Sequence, residues 1–540
     1  MVTHESLEDV AWDCQPDVLV VGFGGAGGCS AIEAFDQGAN VVVVEKQEEN
    51  DYYSNTRMSG GAYHSPEPSG DPSAIKKYAL AMFSGDNLSW KLEGELPADI
   101  ANDLAEAWAE YAPQNLSWMK SLDPEYDAYE REGALLSGAA FPNFPGAKES
   151  KYRVVRSTYS GEINNDNRCQ INDLKPLKES GEAFYACLKN GISERDIDVH
   201  WGTTAVEFVI DNNNCVQGLI AQGDGGRTAY KAQSVVLTTG GFEYNKDLRM
   251  NFLEGPGVEG WAFYGAPSNT GDGILMAQEL GAGFSKVNKA ASRMIAAIPL
   301  RKHGLKIGLR TPVIGRPNAI VVDSLGKRYA AEREITEDPT RYFFYKEGIM
   351  FDIRNFVYPR VPSWLVFDET LRTRRSVVSL RGIGYHGIEW GEDNSKAIEN
   401  GWILKAPTIE GLATEIQGHP DNRDLLDART LSQTVSRYNT YCDQGTDEEF
   451  GSKAKNMAPL RTPPYYALPL YPGGPNTKGG LMANASREVL NVDGEPIPNL
   501  YTAGEISSAF KFVYQGGGNL AECIVFGRMA GKNAAKHAAR

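Results

Sequence analysis

The stretch from Asp17 to Lys46 reads DVLVVGFGGAGGCSAIEAFDQGANVVVVEK. A short apolar run ends in Gly22-Phe23-Gly24-Gly25-Ala26-Gly27, a G-x-G-x-x-G turn. A helix-compatible segment continues to about Gln37, Gly38 stops it, and a second apolar run ends at Glu45. Short, wholly apolar runs of this kind are buried parallel strands, so the segment commits the chain to an α/β sheet with a crossover helix. The glycines allow a tight turn and close approach of the backbone to a pyrophosphate, whose charge faces the helix N-terminus. An acid about 20 residues on accepts hydrogen bonds from ribose hydroxyls, a place filled by Glu45. Gly22, Gly24, Gly25, Ala26, Gly27, Glu45 and Lys46 are the first nucleotide-binding candidates. The pattern alone does not separate NAD from FAD, and a plain structural turn is the alternative.

A chain of 540 residues exceeds one ordinary core, so two domains are expected. A net charge of −16 and a pI near 5.1 argue against a nucleic-acid surface. No apolar run reaches the roughly 18 residues that would cross a bilayer. The acidic start MVTHESLEDVAWDCQPD lacks the basic and apolar segments of a signal peptide, so a cytoplasmic protein is expected. Seven scattered cysteines without a C-x-x-C pair fit reduced thiols, and the seven dispersed histidines suggest no metal site.

Further along, the polar loop SNTRMSGGAYHSP, residues 54–66, follows the second strand and so lies at the carboxyl edge of the sheet, where ligands bind. Asn55, Thr56, Ser59, Gly60 and Gly61 are its candidates. Residues 97–122 carry helical signals. Strand signals at 197–201, in TTAVEFVID (with Ala205 and Val206) and in VQGLIAQ alternate and end in turns, which suggests one small antiparallel sheet. AQSVVLTTGGFEYN is another buried strand, ending in Thr239-Gly240-Gly241, and NTGDGILMAQELGA, with Asn269 and Asp272, enters a helix. From about 286 to 461 the texture turns to short pieces rich in Arg, Pro and aromatics, and reads as an inserted cap. NLYTAGE then restores the strand-and-turn pattern at Gly504 and Glu505, before a final amphipathic helix that takes in Asn519 and Leu520. No second G-x-G-x-x-G follows a strand. The expected domains are 1–285 with 462–540, and the cap 286–461.

Together, Gly22 to Glu45, Ser59-Gly60-Gly61, Thr239-Gly240-Gly241, Asn269 to Gly273 and Leu500 to Glu505 resemble the flavoprotein superfamily of fumarate reductase and 3-ketosteroid dehydrogenase. The resemblance covers both ends of the chain and is weak across the cap. It implies non-covalent FAD in a Rossmann-like domain, with a parallel sheet plus a small antiparallel sheet, and an inserted α+β cap that carries substrate. Fumarate-type members place an arginine in the loop before the last helix and a histidine before the Thr-x-Gly-Gly turn. This chain has Gln515 at the first place and Pro475-Asn476 at the second. A neutral glutamine cannot replace a bidentate cation for a carboxylate, so the dicarboxylate reading is weakened. Ketosteroid 1-dehydrogenases carry a tyrosine four residues before a glycine, a spacing matched by Tyr514 and Gly518, but Gln515 and Gly517 stand where those enzymes have prolines.

On that resemblance, Tyr514 and the Gly518 N–H hold a ketone oxygen as it becomes an enolate, a base takes the neighbouring proton, and hydride passes to the flavin. Each such donor contributes about 3 kcal/mol to lowering the barrier. The bland reading is that Tyr514 only packs. The base comes from the insertion REITEDPTRYFFYKEG after Gly326-Lys327-Arg328-Tyr329, with Arg341, Tyr342 and Tyr345 all in competition. Three functions follow: desaturation of a cyclic ketone, steroid or smaller; the reverse ene-reduction of an enone or unsaturated acid with an external donor; and flavin binding without catalysis. The absence of a fused flavin or haem module favours the first, with an external electron acceptor.

Overall fold

The computed structural model describes residues 10–130, 138–163, 178–333, 342–422 and 425–539. Its centre is a six-stranded sheet in the order Glu488–Leu490, Pro496–Thr502, Ser234–Leu237, Val18–Val21, Val41–Val44, Asp198–His200. All neighbours are parallel except the edge pair Glu488–Leu490 and Pro496–Thr502. The runs VLVV and VVVV are buried at every position, as strands covered on both faces must be. Residues 197–201 were expected in a small antiparallel sheet. Asp198–His200 instead pairs in parallel with Val42–Val44, because the chain arrives from the buried helix Gly181–Ser193 on the sheet's face. The small antiparallel sheet holds Thr204–Ile210, Val216–Gly223 and Gly226–Lys231.

Helix Gly25–Asp36 crosses the final helix Gly518–Ala538 at very short range. A Cβ on Gly531 would lie 2.1 Å from the Ser30 carbonyl oxygen, and one on Gly527 2.9 Å from that of Ala26. Glycine is what lets these backbones meet, and the Ser30 hydroxyl donates to the Gly527 carbonyl at 2.9 Å. The two ends of the chain are thus packed on one sheet.

A second, seven-stranded sheet contains Arg293–Lys302, Leu305–Leu309, Ala319–Val322, Ser363–Asp368 and Leu404–Ala406. Its most connected strand is Tyr465–Gly474, which pairs with Arg293–Lys302, Ser363–Asp368 and Leu404–Ala406, and Ala262–Phe263 joins the same sheet. Both of these strands lie outside 286–461, so this sheet draws on chain that composition placed with the nucleotide fold. Helices Ile409–Gln417 and Ala428–Gln444 cover one of its faces through Leu412, Ile416, Leu431 and Val435. Phe284–Ala290 pairs with Thr477–Leu481 where the chain passes between the two sheets. Among the described residues no helix is long and apolar enough to cross a membrane.

Candidate active site

One cavity, about 1930 Å³ including its open mouth, runs along the carboxyl ends of the parallel strands and under the second sheet. At its inner end the Gly22 N–H donates to the Val44 carbonyl at 2.8 Å. Gly22 has φ +99°, and a Cβ on Gly27 would sit 1.9 Å from the Gly22 carbonyl oxygen. Only glycine closes this turn. The helix that follows is capped by Gly24 with no side chain over its first N–H groups, although the Gly25 N–H donates to Thr56 Oγ1 at 2.8 Å. The Glu45 carboxylate accepts the Phe23 N–H at 2.8 Å and the Gln47 N–H at 3.0 Å, and burial raises its pKa. Lys46 reaches Asp272 at 2.6 Å and Thr270 at 2.8 Å.

Deeper in, Glu505 and Glu243 share a buried polar cluster. Asn55 Nδ2 donates to both carboxyls, at 2.8 Å to Glu243 and 3.1 Å to Glu505. Asn269 donates to Glu243 at 2.8 Å, and Thr477 Oγ1 lies 3.2 Å from each acid. Burial first, and for Glu505 the neighbouring Glu243 charge second, push both carboxyls up.

The last helix points its N-terminus at the cavity. Gly517, in the left-handed region at φ +95°, is followed by Asn519 and Leu520 in the wall. Thr239 Oγ1 and Asn519 Oδ1 are buried, belong to lining residues, and have no hydrogen-bond partner within the protein. Buried polar groups are as a rule hydrogen-bonded, so these two are open to a partner that occupies the cavity.

A family model for the FAD binding domain matches residues 17–520. The chain belongs to the FAD binding domain family. It is 28% identical over 531 residues to a probable fumarate reductase of Shewanella frigidimarina, covering 96% of this chain and 75% of that one. It is 26% identical over 597 residues to the 3-oxosteroid 1-dehydrogenase of Mycolicibacterium smegmatis, covering 97% and 98%. Among solved structures it is similar to the 3-ketosteroid delta1-dehydrogenase of Sterolibacterium denitrificans in complex with 1,4-androstadiene-3,17-dione, with TM-score 0.75, 23% identity and coverage of 97% and 99%. The protein is an FAD-dependent oxidoreductase, and the glycine turn, the uncapped helix start and the two orphaned polar atoms suit that cofactor.

Of the residues singled out from sequence, Gly22, Gly24, Gly25, Ala26, Glu45, Lys46, Asn55, Thr56, Ser59, Gly60, Ala205, Thr239, Gly240, Asn269, Asp272, Gly504, Glu505, Asn519 and Leu520 line the cavity. Gly27, Gly61, Val206 and Gly241 do not. They serve the wall from behind: a Cβ on Gly61 would meet the Ser180 carbonyl at 2.3 Å, and one on Gly241 would meet Glu505 Oε1 at 1.9 Å. Val206 follows Ala205 on a strand, where successive side chains alternate.

Tyr514 and Tyr342 both line the cavity and meet edge to face, ring centres 4.7 Å apart. Two expectations change. Tyr345 is buried beside Trp261, 5.8 Å between ring centres, because the short helix Phe344–Gly348 turns it into the second sheet's core. The Gly518 N–H does not face the cavity; it donates to the Gln515 carbonyl at 3.0 Å inside the turn that starts the helix. Arg341 lies outside the described residues.

The loop carrying Tyr514 is held from behind. Gln515 accepts from the Tyr78 hydroxyl at 2.7 Å and donates to the Gly138 carbonyl at 2.9 Å, so it faces away from the cavity. His64 Nε2 is 3.1 Å from the Gly516 carbonyl and Nδ1 2.8 Å from the Tyr152 hydroxyl. Burial pushes His64 down to about 3, so the ring is neutral, with Nε2–H donating to Gly516 and Nδ1 accepting from Tyr152. Lys478 Nζ lies 4.8 Å from the Tyr514 ring centre and is paired with Glu522 at 2.6 Å. The Arg293 guanidinium lies 4.7 Å from the Tyr342 ring centre. Sequence reading missed Glu243, Lys478, Glu522, Arg156, Arg293, Arg310 and Arg381. Apart from Glu243, two residues past the Thr239-Gly240-Gly241 turn, and Lys478, inside the Thr-x-Gly-Gly turn, they stand in no motif, and only the fold collects them.

Proposed function

We propose that this oxidoreductase interconverts a single and a double carbon–carbon bond next to the carbonyl of a cyclic ketone, steroid or smaller. The observation that carries the reading is the Tyr514–Tyr342 contact at 4.7 Å, in the same cavity as the orphaned Thr239 and Asn519 atoms. Gly22, Gly24, Gly25 and Ala26 hold the FAD pyrophosphate, Glu45 a ribose, and Thr239, Asn519 and Leu520 the parts nearer the tyrosines. FAD, when bound by these residues, would supply the hydride acceptor, or the hydride donor in the reverse direction. Tyr514 donates a hydrogen bond to the carbonyl oxygen and stabilises the enolate that forms when the neighbouring carbon loses its proton. Tyr342 moves that proton. Two phenols in contact reach adjacent atoms of one substrate, and oxygen and α-carbon are such a pair. The neighbouring cations, Lys478 by Tyr514 and Arg293 by Tyr342, favour negative charge developing on this side of the cavity. The electron acceptor is external, and the cap is the unit built on the 286–461 strands, with Tyr465–Gly474 as its shared strand.

Ene-reduction uses the same residues, since donor and acceptor potentials set the direction. The test is anaerobic mixing of the FAD-loaded protein with a panel of cyclic ketones, watching the flavin absorbance bleach. A parallel arm adds cyclic enones to photoreduced protein and watches the absorbance return. Bleaching marks the dehydrogenase and recovery the reductase. If neither change occurs with any cyclic carbonyl compound, the reading fails.

A further inference from the structure

The two tyrosines that meet in the cavity stand in unlike charge environments. The Arg293 guanidinium lies 4.7 Å from the Tyr342 ring centre. Arg293 opens the strand Arg293–Lys302, and its register opposite Gly473 fixes it at the cavity wall. Its Nε is buried with no hydrogen-bond partner, and among the described residues it forms no ion pair. The cation beside Tyr514 differs. Lys478 Nζ lies 4.8 Å from that ring centre, but Glu522 neutralises it at 2.6 Å, and both partners are buried.

The other charged groups nearby leave this difference in place. On the helix Phe344–Gly348 that follows Tyr342, Lys346 pairs with Glu254 at 3.0 Å and Glu347 with Arg360 at 2.8 Å. Arg156, Arg310 and Arg381 also line the cavity, each with contacts of its own, and the Arg310 carbonyl accepts the Ser379 N–H at 2.8 Å. The acids of the lining, Glu45, Asp272, Glu505 and Glu522, are engaged with Phe23 and Gln47, Lys46, Asn55 and Lys478.

A cation held out of water without a counter-charge is costly, and a negative charge beside it offsets that cost. A phenol that loses its proton supplies such a charge. Next to Arg293 the phenolate gains; next to the net-neutral Lys478–Glu522 pair it gains little. Two phenolates in contact would repel, so the other ring keeps its proton. Unlike environments of this kind divide the acid from the base in a pair of titratable groups. We propose that Arg293 divides the roles of the two phenols: its charge holds Tyr342 as the phenolate that takes the proton from the carbon next to the carbonyl, while Tyr514 stays protonated and donates to the oxygen. In that step the C–H bond breaks, an O–H bond forms on Tyr342, and the C–H electron pair passes into the enolate held by Tyr514. Arg293 acts through Tyr342 and needs no contact with substrate. The proposal rests on the preceding reading of the two tyrosines and adds what activates the base.

The test has two readouts on the FAD-loaded full chain. The first needs no turnover. Ultraviolet difference absorbance follows tyrosinate formation as pH rises, and subtracting the Tyr342→Phe titration isolates Tyr342. This residue is expected to ionise about 1–2 pH units below the ordinary tyrosine value near 10. Arg293→Met should return it to about 10 or above, Arg293→Lys should keep it low, and Tyr514→Phe should leave the transition present. The second readout is the anaerobic flavin-reduction rate with a cyclic ketone that bleaches the wild type. In Arg293→Met its acid limb should move up with the Tyr342 titration and the rate should recover at high pH, whereas a packing role would lower the rate equally at every pH. A wild-type Tyr342 that ionises at or above the ordinary value, or one whose titration is unmoved in Arg293→Met, would overturn the proposal. The wild-type measurement decides even where Arg293→Met does not fold. A low Tyr342 titration that depends on Arg293, with no ketone bleaching the flavin, would keep the charge assignment and sink the assigned reaction.

Discussion

Replacing Tyr514 by Phe removes one hydroxyl and leaves every ring contact in place. The ring sits 4.7 Å from Tyr342, 5.8 Å from Phe510, and 4.8 Å from the Lys478 ammonium. All three contacts depend on the aromatic face or edge, which Phe keeps, so Tm should shift by no more than a degree or two and the FAD content should not change. The hydroxyl itself is assigned to the carbonyl oxygen. A donor to a developing oxyanion in a water-poor site contributes about 3 kcal/mol, roughly a hundredfold or more in rate. The helix N-terminus does not compensate through Gly518, whose N–H is already given to Gln515. The assay is stopped-flow flavin reduction under anaerobic conditions, with the cyclic ketone that bleaches the wild type best. If the donor acts in the transition state, the limiting rate falls about a hundredfold while substrate Kd changes little. A rate within a few-fold of wild type would mean that Tyr514 only packs and that the carbonyl is held elsewhere.

Three further outcomes are expected. Gly27→Ala places a Cβ 1.9 Å from the Gly22 carbonyl oxygen, so the turn must open; the purified variant should be nearly colourless, as the ratio of flavin to protein absorbance will show. Lys478→Met leaves the Glu522 carboxylate buried without its cation and should destabilise by about 3–5 kcal/mol in urea titration, with much of the loss recovered in Lys478→Met/Glu522→Gln; no recovery would mean the pair is not the cause. Lys511 is fully buried, donates to the Ser285 carbonyl at 2.9 Å, and is pushed down to about 7 by desolvation. Its folded pKa lies below its unfolded value near 10.4, so the cost of burying the charge is fully present below about pH 7 and fades as pH rises toward 10.4. Lys511→Met should therefore stabilise most at pH 6–7 and least near pH 10, measured as ΔTm across that range.

The flavin half was legible because its signals are local. Val18–Val21, the glycine turn and Val41–Val44 lie within thirty residues of each other, and each demands the others: buried strands need a crossover, and the turn needs glycine where φ is positive or a Cβ has no room. The same holds for Asn519, which local pattern placed at a helix start and the fold aims at the cavity. The part of the cavity lined from 286–461 was not legible because its residues share no segment. Arg293, Arg310 and Arg381 are brought to one edge by strand register and by the Ser379–Arg310 bond, both long-range facts. Gly518 was misjudged for a related reason. Spacing from Tyr514 is fixed by sequence, but whether an N–H faces the cavity or closes its own turn depends on φ at Gly517.

Strand Tyr465–Gly474 shows how the second sheet draws on chain beyond residue 461. Its run YYALPLYPGG is apolar on both faces because it is central to the second sheet, and in composition it looks like any other buried strand of the nucleotide fold. Directly after it, Pro475 and Asn476 enter the cavity wall, Thr477 joins the Glu243–Glu505 cluster, and Lys478 supports Tyr514. Only Pro475 and Asn476 separate the strand Tyr465–Gly474 of the second sheet from the strand Thr477–Leu481. The Asn519 side chain donates to Asn476 at 2.8 Å, which ties the same four residues to the start of the final helix. The position of the second sheet is therefore set against the tyrosine loop by covalent chain and hydrogen bonds together, and groups that must act on one bound molecule need such a fixed distance.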